Sequence, residues 1–424
     1  MLKPFKSPIV LILILAVFIR FLCLYYLKDM VPEPFELNQI AHNILEGKGM
    51  VFSFLNTTYY AYYPPLLPLF FAAIEWLTPH YLFTMGLIQI VVSAVCTYLV
   101  YRITYQIFSS LKISNLAALL FALHPGFIIY TAKASGDIFF IFLYLGLTFL
   151  MLRLDFTKTL HIVLFGMTIS IAFLTRSVFI IFLPLFMITL TFQFRNSLLF
   201  LRSCALMVGI FCLTIAPWGI RNYFIFKKPL LTVTTASINL WQGNNPISTG
   251  TLYTTQGIPN MEYAKKYVDP KIFEQDELRQ SFLFRQAAIN YIFEKPGLFI
   301  LRTLKKILYF WTVTPTAGLH YPKIWLNVYL IYYGIIILFF LFQLKRIYYL
   351  QIPANLKNVF LVLLLLLAHS ALHTIYYVET RHRWAIEAFI LMIAAPGIAS
   401  VLSRLKCTKT TAISSTNKYN LDKK

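Results

Sequence analysis

The sequence predicts an all-α protein, a polytopic transmembrane helix bundle of about ten to twelve spans whose non-cytoplasmic loops carry interfacial amphipathic helices. Three observations predict it. The 424 residues are 59% hydrophobic and only 12% charged, with a mean hydropathy of +0.70, and a water-soluble chain of this length has no way to cover so much apolar surface. Apolar runs recur near residues 8–27, 65–78, 82–108, 114–131, 138–152, 160–192, 203–220, 325–343, 357–378 and 384–402, with a weaker one at 297–313. A bilayer core about 30 Å thick asks for roughly 20 apolar residues per helix. Finally, lysine and arginine gather in the short linkers between these runs, as they do in cytoplasmic loops of membrane proteins.

Those linkers are Lys3/Lys6, Arg102–Lys112, Arg153–Lys158, Arg195–Arg202, Lys345–Lys357 and the tail beyond Arg404. They account for the net charge of +21 without nucleic acid as a partner. Pro8–Leu27 follows Lys3 and Lys6 and lacks a small-residue cleavage site, so it reads as an uncleaved anchor with its N-terminus in the cytoplasm. Residues 1–402 then form one transmembrane domain and 403–424 a basic cytoplasmic tail. The long loops 28–63 and 221–296 face the other side, together with the turns Lys133–Asp137, Thr175–Arg176 and Glu379–Arg383. Residues 65–78 break the parity: they are re-entrant, or they span and put one basic linker outside. Cys23, Cys96, Cys204 and Cys212 lie in apolar runs as small hydrophobes, and no disulfide is assigned.

Two segments of the long loops have helical apolar spacing. Leu37, Ile40, Ala41, Ile44 and Leu45 oppose His42, Asn43 and Glu46, which suits a helix along the membrane interface. Glu274–Phe293 is similar.

Chemistry-bearing residues fall on the same side. Glu33 and Glu36, three apart after the first run, offer a carboxylate that can take a proton from an acceptor hydroxyl; on these residues alone, ordinary acidic decoration of a non-cytoplasmic loop is the favoured reading. Arg221, beside Asn222 in Pro217–Tyr223, presents a planar fork that matches phosphate, or snorkels at a helix end. In Asn239–Pro246 the amides of Asn244 and Asn245 beside the indole of Trp241 make a surface for sugar hydroxyls, or a tight turn. Arg381, His382 and Arg383 make an anion site, or a solvated helix cap. His369 and His373 have zinc-type spacing without a third ligand, and polar packing in a bundle explains them. Arg20 and Asp137 interrupt apolar segments, where charges face the bundle interior or a wet cavity. No phosphate loop or HExxH motif occurs, so nucleotide-dependent chemistry has no support.

Taken in order, these motifs resemble the C-type-fold (GT-C) glycosyltransferases, in particular the bacterial relatives of dolichyl-phosphate-mannose–protein mannosyltransferases and of aminoarabinose transferases. The resemblance rests on Glu33–Ala41 with Gly47-Lys48-Gly49, on Pro64-Pro65-Leu66-Leu67-Pro68, and on Leu174-Thr175-Arg176. Pro217–Asn222, Leu240–Pro246 and Arg381–Arg383 complete it. The chain departs from that family in Leu37, in Tyr62-Tyr63 where lipid-A-modifying relatives are acidic, and in Asp137 where many carry glutamate.

The resemblance implies a polyprenyl-phosphate-linked sugar donor and inverting transfer to an envelope acceptor (lipopolysaccharide, protein or another glycan). It places this at the periplasmic face of a bacterial inner membrane. The early acid, Glu33 or Glu36, is then the base. Arg176, Arg221, Arg381 and Arg383 bind the donor phosphate, while Asp137, Asn222, Trp241, Asn244, Asn245 and His382 bind substrate. No cofactor is assigned, and a divalent metal is without support in the residues. The readings set against this are a transporter or lipid-carrier flippase, and a catalytically inactive relative that binds the carrier lipid.

Overall fold

The structure, a computed structural model, describes residues 7–27, 35–54, 57–133, 135–320, 322–350 and 354–421. Helix α1 (Pro8–Leu27) has Pro8 at its first position, where a missing N–H costs nothing, and an almost unbroken apolar sequence behind it. Its one charge, Arg20, is fully buried. The guanidinium donates to the carbonyl of Ala16 in its own helix at 3.2 Å and to those of Ala122 and Phe121 at 2.9 and 3.4 Å.

The first long loop folds as α2 (Phe35–Leu45) and a two-stranded hairpin, β1 (Phe52–Phe54) and β2 (Thr57–Tyr59), with Phe52 opposite Tyr59. The amphipathic pattern of α2 is realised: Leu37, Ile40 and Ala41 are its buried residues. The next apolar run becomes α3 (Leu66–Leu77), twelve residues, about 18 Å at 1.5 Å per residue and too short to cross a bilayer.

Helix α4 (Tyr81–Phe108) leads to α5 (Leu111–Ala122) and α6 (Pro125–Ala132), a pair bent by 52°. The bend has a stated cause. The ring Nδ1 of His124 caps α6 by accepting from the Phe127 N–H, and Pro125 follows at the first turn, so α5 must stop there. Arg20 then donates to carbonyls in the last turn of α5, those of Phe121 and Ala122.

Then come α7 (Asp137–Arg153), α8 (Thr159–Thr175), a 3-10 turn over Ser177–Ile181, and α9 (Phe182–Thr191). The long run at 160–192 is thus a helical hairpin, broken where Arg176 is extended (φ −151°, ψ 125°). Helix α10 (Ser197–Phe226) passes through Pro217 and ends later than the sequence suggests, so Arg221 and Asn222 belong to its last turns and not to the loop.

The second long loop holds α11 (Thr235–Gly243), α12 (Ala264–Tyr267) and α13 (Glu277–Glu294). It packs on the first loop. Ile40, Phe52, Tyr59, Ile238, Trp241, Ala264, Phe284 and Ala288 share one apolar core, so the two loops form a single cap. A polar seam locks it: buried Glu277 accepts from the backbone N–H groups of Tyr60 (2.6 Å) and Ala61 (3.0 Å) and from the Thr234 hydroxyl (2.6 Å).

Helix α14 (Pro296–Trp311) follows, exposing Leu298, Leu301, Leu304 and Leu308 along one side while Lys306 and Phe310 are buried on the other. This is the pattern of a helix lying in a membrane interface. A short α15 (Ala317–His320) precedes α16 (Lys323–Leu350), α17 (Leu356–Ile375) and α18 (Trp384–Leu421). Residues Trp384 to Ala395 of α18 are all buried, and a helix apolar on every side belongs at the centre of a bundle.

Six helices among the described residues are long and apolar enough to cross a membrane, or seven if the bent α5–α6 pair is one span. The chain is a multi-pass membrane protein. The other apolar runs are helical too but shorter, so fewer of them have full bilayer length than the ten to twelve the sequence suggests.

Candidate functional site

At one end of the bundle five segments meet: the start of α2, the Tyr62-Tyr63 pair before α3, the turn between α6 and α7, and the two stretches that follow α8 and α17. Asp137 is the first residue of α7, after Gly136 in the left-handed region (φ 74°). A side chain on Gly136 would be strained there and would press on Leu67. The N-terminus of α7 favours the carboxylate, which accepts from the Ser135 hydroxyl at 2.9 Å. Its other oxygen takes Nη2 of Arg176 at 2.9 Å. Arg176 reaches it because α8 ends at Thr175 and the chain turns extended. The guanidinium also stacks over Phe140, 4.8 Å from the ring centroid.

After α17, Tyr376–Glu379 runs into a 3-10 turn over Thr380–Arg383. Glu379 and His382 cap it reciprocally: the Glu379 side chain takes a backbone N–H of the turn, and His382 Nδ1 accepts from the Glu379 N–H at 3.3 Å. Arg381 Nε donates to Glu379 Oε2 at 2.6 Å, and the arginine remains 40% exposed.

The phenols and the lysine of this region report who their neighbours are. Burial raises the Tyr63 hydroxyl to about 12; the negative charges of Glu36 and Asp137 add to that, and those of Arg176 and Arg381 oppose it. Lys133 is lowered by burial and by Arg381, against the pull of Asp137, Glu379 and Glu36. Tyr377 is raised by burial within the field of Glu379, Arg381, Tyr63 and Arg176. Glu36, Asp137, Arg176 and Arg381 therefore share one electrostatic environment. His382 adjoins it, its ring centroid 5.2 Å from that of Tyr377. Glu33 lies outside the described residues.

Sequence reasoning missed Lys133, Tyr63, Tyr377 and Glu379 as members. The available signal was that each lies in or beside a turn already placed on the non-cytoplasmic side. Two of the three cations are engaged, Arg176 with Asp137 and Arg381 with Glu379. Lys133 lies over the Tyr130 ring, 5.5 Å from its centroid.

Other expected site residues are held elsewhere. Arg383 is fully buried inside the bundle. It donates to Glu387 Oε1 (2.6 Å), to the Tyr329 hydroxyl (2.6 Å) and to the carbonyls of Phe310 and Thr312, and it stacks 3.7 Å from the centroid of Tyr333. Glu387 in turn takes His124 Nε2 at 2.6 Å. Fully buried and with four of its five N–H donors bonded, Arg383 has no fork to offer a phosphate.

Arg221 binds the cap, donating to the Tyr60 carbonyl (2.6 Å) and to Asn222 Oδ1 (2.9 Å), with Trp218 beneath it. Buried Asn222 donates to the Leu230 carbonyl. Trp241 is buried against Phe284 and presents no face for a sugar. The amides of Asn244 and Asn245 are buried and serve a turn: Asn244 donates to the Leu240 and Ile375 carbonyls, and Asn245 to that of Trp241.

Gly243 explains the glycine of that turn. A Cβ there would lie 2.1 Å from the Tyr376 carbonyl oxygen. His369 and His373 pack in the bundle, His369 at 2.6 Å from the Tyr144 hydroxyl. Among the described residues no group of three or more His, Cys, Asp or Glu is placed to hold a metal ion.

Neither a protein-family description nor a curated protein matches the sequence. Solved structures do match its fold. The oligosaccharyltransferase of Archaeoglobus fulgidus, tethered to an acceptor peptide containing the NVT sequon, superposes with a TM-score of 0.52 at 13% identity, over 95% of this chain and 50% of its own. The oligosaccharyltransferase AglB of the same archaeon, in complex with an inhibitory peptide and a dolichol-phosphate, gives 0.50 at 14% identity, over 96% and 51%. The likeness is one of fold: the chain shares the helix arrangement of the archaeal oligosaccharyltransferase. The present chain spans about half the length of the archaeal enzyme. ArnT of Cupriavidus metallidurans, bound to undecaprenyl phosphate, is more distant, with a TM-score of 0.40 at 13% identity over 92% of this chain and 77% of its own.

Proposed function

We propose that the protein is a glycosyltransferase that moves a sugar from a polyprenyl-phosphate carrier to an acceptor of the bacterial cell envelope, at the periplasmic face of the inner membrane. The observation that carries this reading is the clustering of three carboxylates, Glu36, Asp137 and Glu379, with three cations, Lys133, Arg176 and Arg381, at one end of a membrane bundle. A fold shared with an enzyme seen with dolichol-phosphate supports the donor class.

In this reading Glu36, or Glu33 just ahead of it, removes a proton from an acceptor hydroxyl or amine as that atom attacks the anomeric carbon. The bond from the anomeric carbon to the phosphate oxygen breaks, and polyprenyl phosphate leaves with the electron pair. Lys133, Arg176 and Arg381 stabilise the charge that grows on the phosphate, the role in which fixed cations contribute most. Asp137 and Glu379 hold the two arginines in place. Asn222, Trp241, Asn244 and Asn245 act on the site through the packing of the cap, not by touching sugar.

The test is transfer from a radiolabelled polyprenyl-phosphate sugar in membranes holding the wild type, Glu33→Gln or Glu36→Gln. One of the two variants is expected to lose transfer. Retention of full transfer by both sinks the mechanism.

A further inference from the structure

Lys306 is a fully buried lysine on the inner side of α14, and among the described residues no carboxylate pairs with its ammonium. Its Nζ instead donates to the carbonyl of Tyr376 at 2.7 Å, to Asn244 Oδ1 at 3.1 Å and to the carbonyl of Ile375 at 3.4 Å. Ile375 is the last residue of α17, so the lysine caps that helix, where orphan carbonyls and the dipole favour a cation.

Three further contacts join the same parts. Asn244 Nδ2 donates to the Ile375 carbonyl at 2.8 Å, the Val378 N–H donates to the Gly250 carbonyl at 2.9 Å, and Gly243 lies against the Tyr376 carbonyl. Gly250 (φ 93°) rests on the Lys306 stem, where an added Cβ would come within 2.8 Å. What these contacts fix is the stretch of chain that delivers Tyr377, Glu379 and Arg381.

We propose that Lys306 is a positioning residue for the Arg381 site: in its protonated form it sets where α17 ends and therefore where Arg381 stands. This rests on the reading above for the ligand that Arg381 meets, but not for the geometry of the clamp. A protonated ammonium has three donors for its three acceptors, and the neutral amine has two. Burial lowers the Lys306 pKa to about 7, with the Arg302 charge adding to the effect, so the clamp weakens within an accessible pH range. The other titratable groups nearby are Tyr291 of α13, bonded to Arg302, Tyr376 on the clamped segment, and His373 of α17, whose ring stacks on Phe310.

The experiment uses full-length protein in nanodiscs with farnesyl phosphate as a short polyprenyl phosphate probe. Binding is measured from pH 6 to 9 for the wild type, Lys306→Arg and Lys306→Met. Wild-type affinity is expected to fall about tenfold through a midpoint near pH 7, the effect of losing one charge-assisted bond. Lys306→Arg, always charged, should lack the Lys306 component of that fall, so that the ratio of wild-type to Arg-variant affinity changes with pH. Phosphate and histidine titrations cancel in the ratio. Lys306→Met should bind about tenfold more weakly at low pH.

A constant ratio, or a Met variant that binds like wild type, overturns the proposal; should the Met variant fail to fold, the Arg profile decides alone. Should wild type bind no farnesyl phosphate, the donor assignment fails instead. The clamp is then read by hydrogen exchange at Val378–His382, compared at each pH between wild type and Lys306→Arg. Protection that falls with rising pH in the wild type relative to the Arg variant upholds the clamp, and equal protection overturns it.

Discussion

Arg176 and Asp137, thirty-nine positions apart in the chain, meet at 2.9 Å. Each stands at a helix terminus, Asp137 opening α7 and Arg176 closing α8. The pair fixes the turn between α6 and α7 against the hairpin of α8 and α9, with Arg176 partly exposed and Asp137 mostly enclosed. Arg176→Gln, Asp137→Asn and the double variant should therefore be non-additive in farnesyl phosphate binding. The expected coupling energy is about 1 kcal/mol, reduced by solvent screening at the half-open arginine. A double-mutant cycle by calorimetry measures it, and simple additivity would show that Asp137 does not orient Arg176.

Glu36 is the described carboxylate nearest to the role of base. Glu36→Gln keeps the shape of α2 and removes proton acceptance. Turnover should drop by about 10²–10⁴-fold while donor affinity changes little, because general-base catalysis acts on the reacting proton and not on the carrier. Steady-state transfer rates and farnesyl phosphate binding on the same preparation check this. A variant that loses both together has lost structure.

The two arginines of the Arg381–Arg383 motif should part company. Arg383→Met leaves Glu387 buried without its cation and should destabilise the protein by about 3–5 kcal/mol. Arg381→Met removes a partly exposed side chain and should leave thermal unfolding almost unchanged while weakening farnesyl phosphate binding. Melting temperature and binding, measured on both variants, distinguish the roles.

Gly243→Ala is a single methyl with a large expected effect. The new Cβ would meet the Tyr376 carbonyl oxygen at 2.1 Å, so α11 and the segment after α17 must separate. A cost of about 2–4 kcal/mol follows from overpacking against backbone that has no rotamer to escape into. Melting temperature in detergent reads it, and an unchanged value would mean the close approach is absent in solution.

Lys306 adds a pH signature to stability. Its folded pKa, about 7, lies below that of a free lysine, so between roughly pH 7 and 10 the unfolded chain binds more protons than the folded one. Stability should then rise with pH by about 1–3 kcal/mol from pH 7 to 9, relative to Lys306→Met. Stability and donor binding thus move in opposite directions over the same interval. Paired melts of wild type and Lys306→Met give the test.

Much of this fold was legible because lipid imposes a simple rule: every backbone group is satisfied within a helix, so apolar runs become helices. The bend after Ala122 was not legible, since it depends on His124 capping α6 and on Arg20 meeting carbonyls more than a hundred positions away. The site was legible only in part. Glu36, Asp137, Arg176 and Arg381 came from motifs and sidedness. Arg383 looked equivalent to Arg381 because spacing in a turn does not say which side chain points into the bundle. Trp241, Asn244 and Asn245 carry the chemistry of a sugar pocket, yet the same amides cap a turn and the same indole fills a core. Lys133 escaped notice because its importance lies in its neighbours Glu36, Asp137, Glu379 and Arg381, most of them distant in sequence.

The hairpin of α8 and α9 also sets a dimension for the surrounding lipid. Helix α8 has 17 residues, about 26 Å of length, and it turns Leu160, Leu164, Met167 and Ile171 outward. That is several ångströms less than the hydrocarbon thickness of an average bilayer. A hydrophobic stretch of that length is matched by local thinning of the bilayer around it. Thinning on this flank would bring the leaflet surface toward Arg176, which follows the last residue of α8. In the proposed function, this flank is where a carrier lipid arriving by lateral diffusion would bring its phosphate to the guanidinium with its isoprenoid tail still in hydrocarbon.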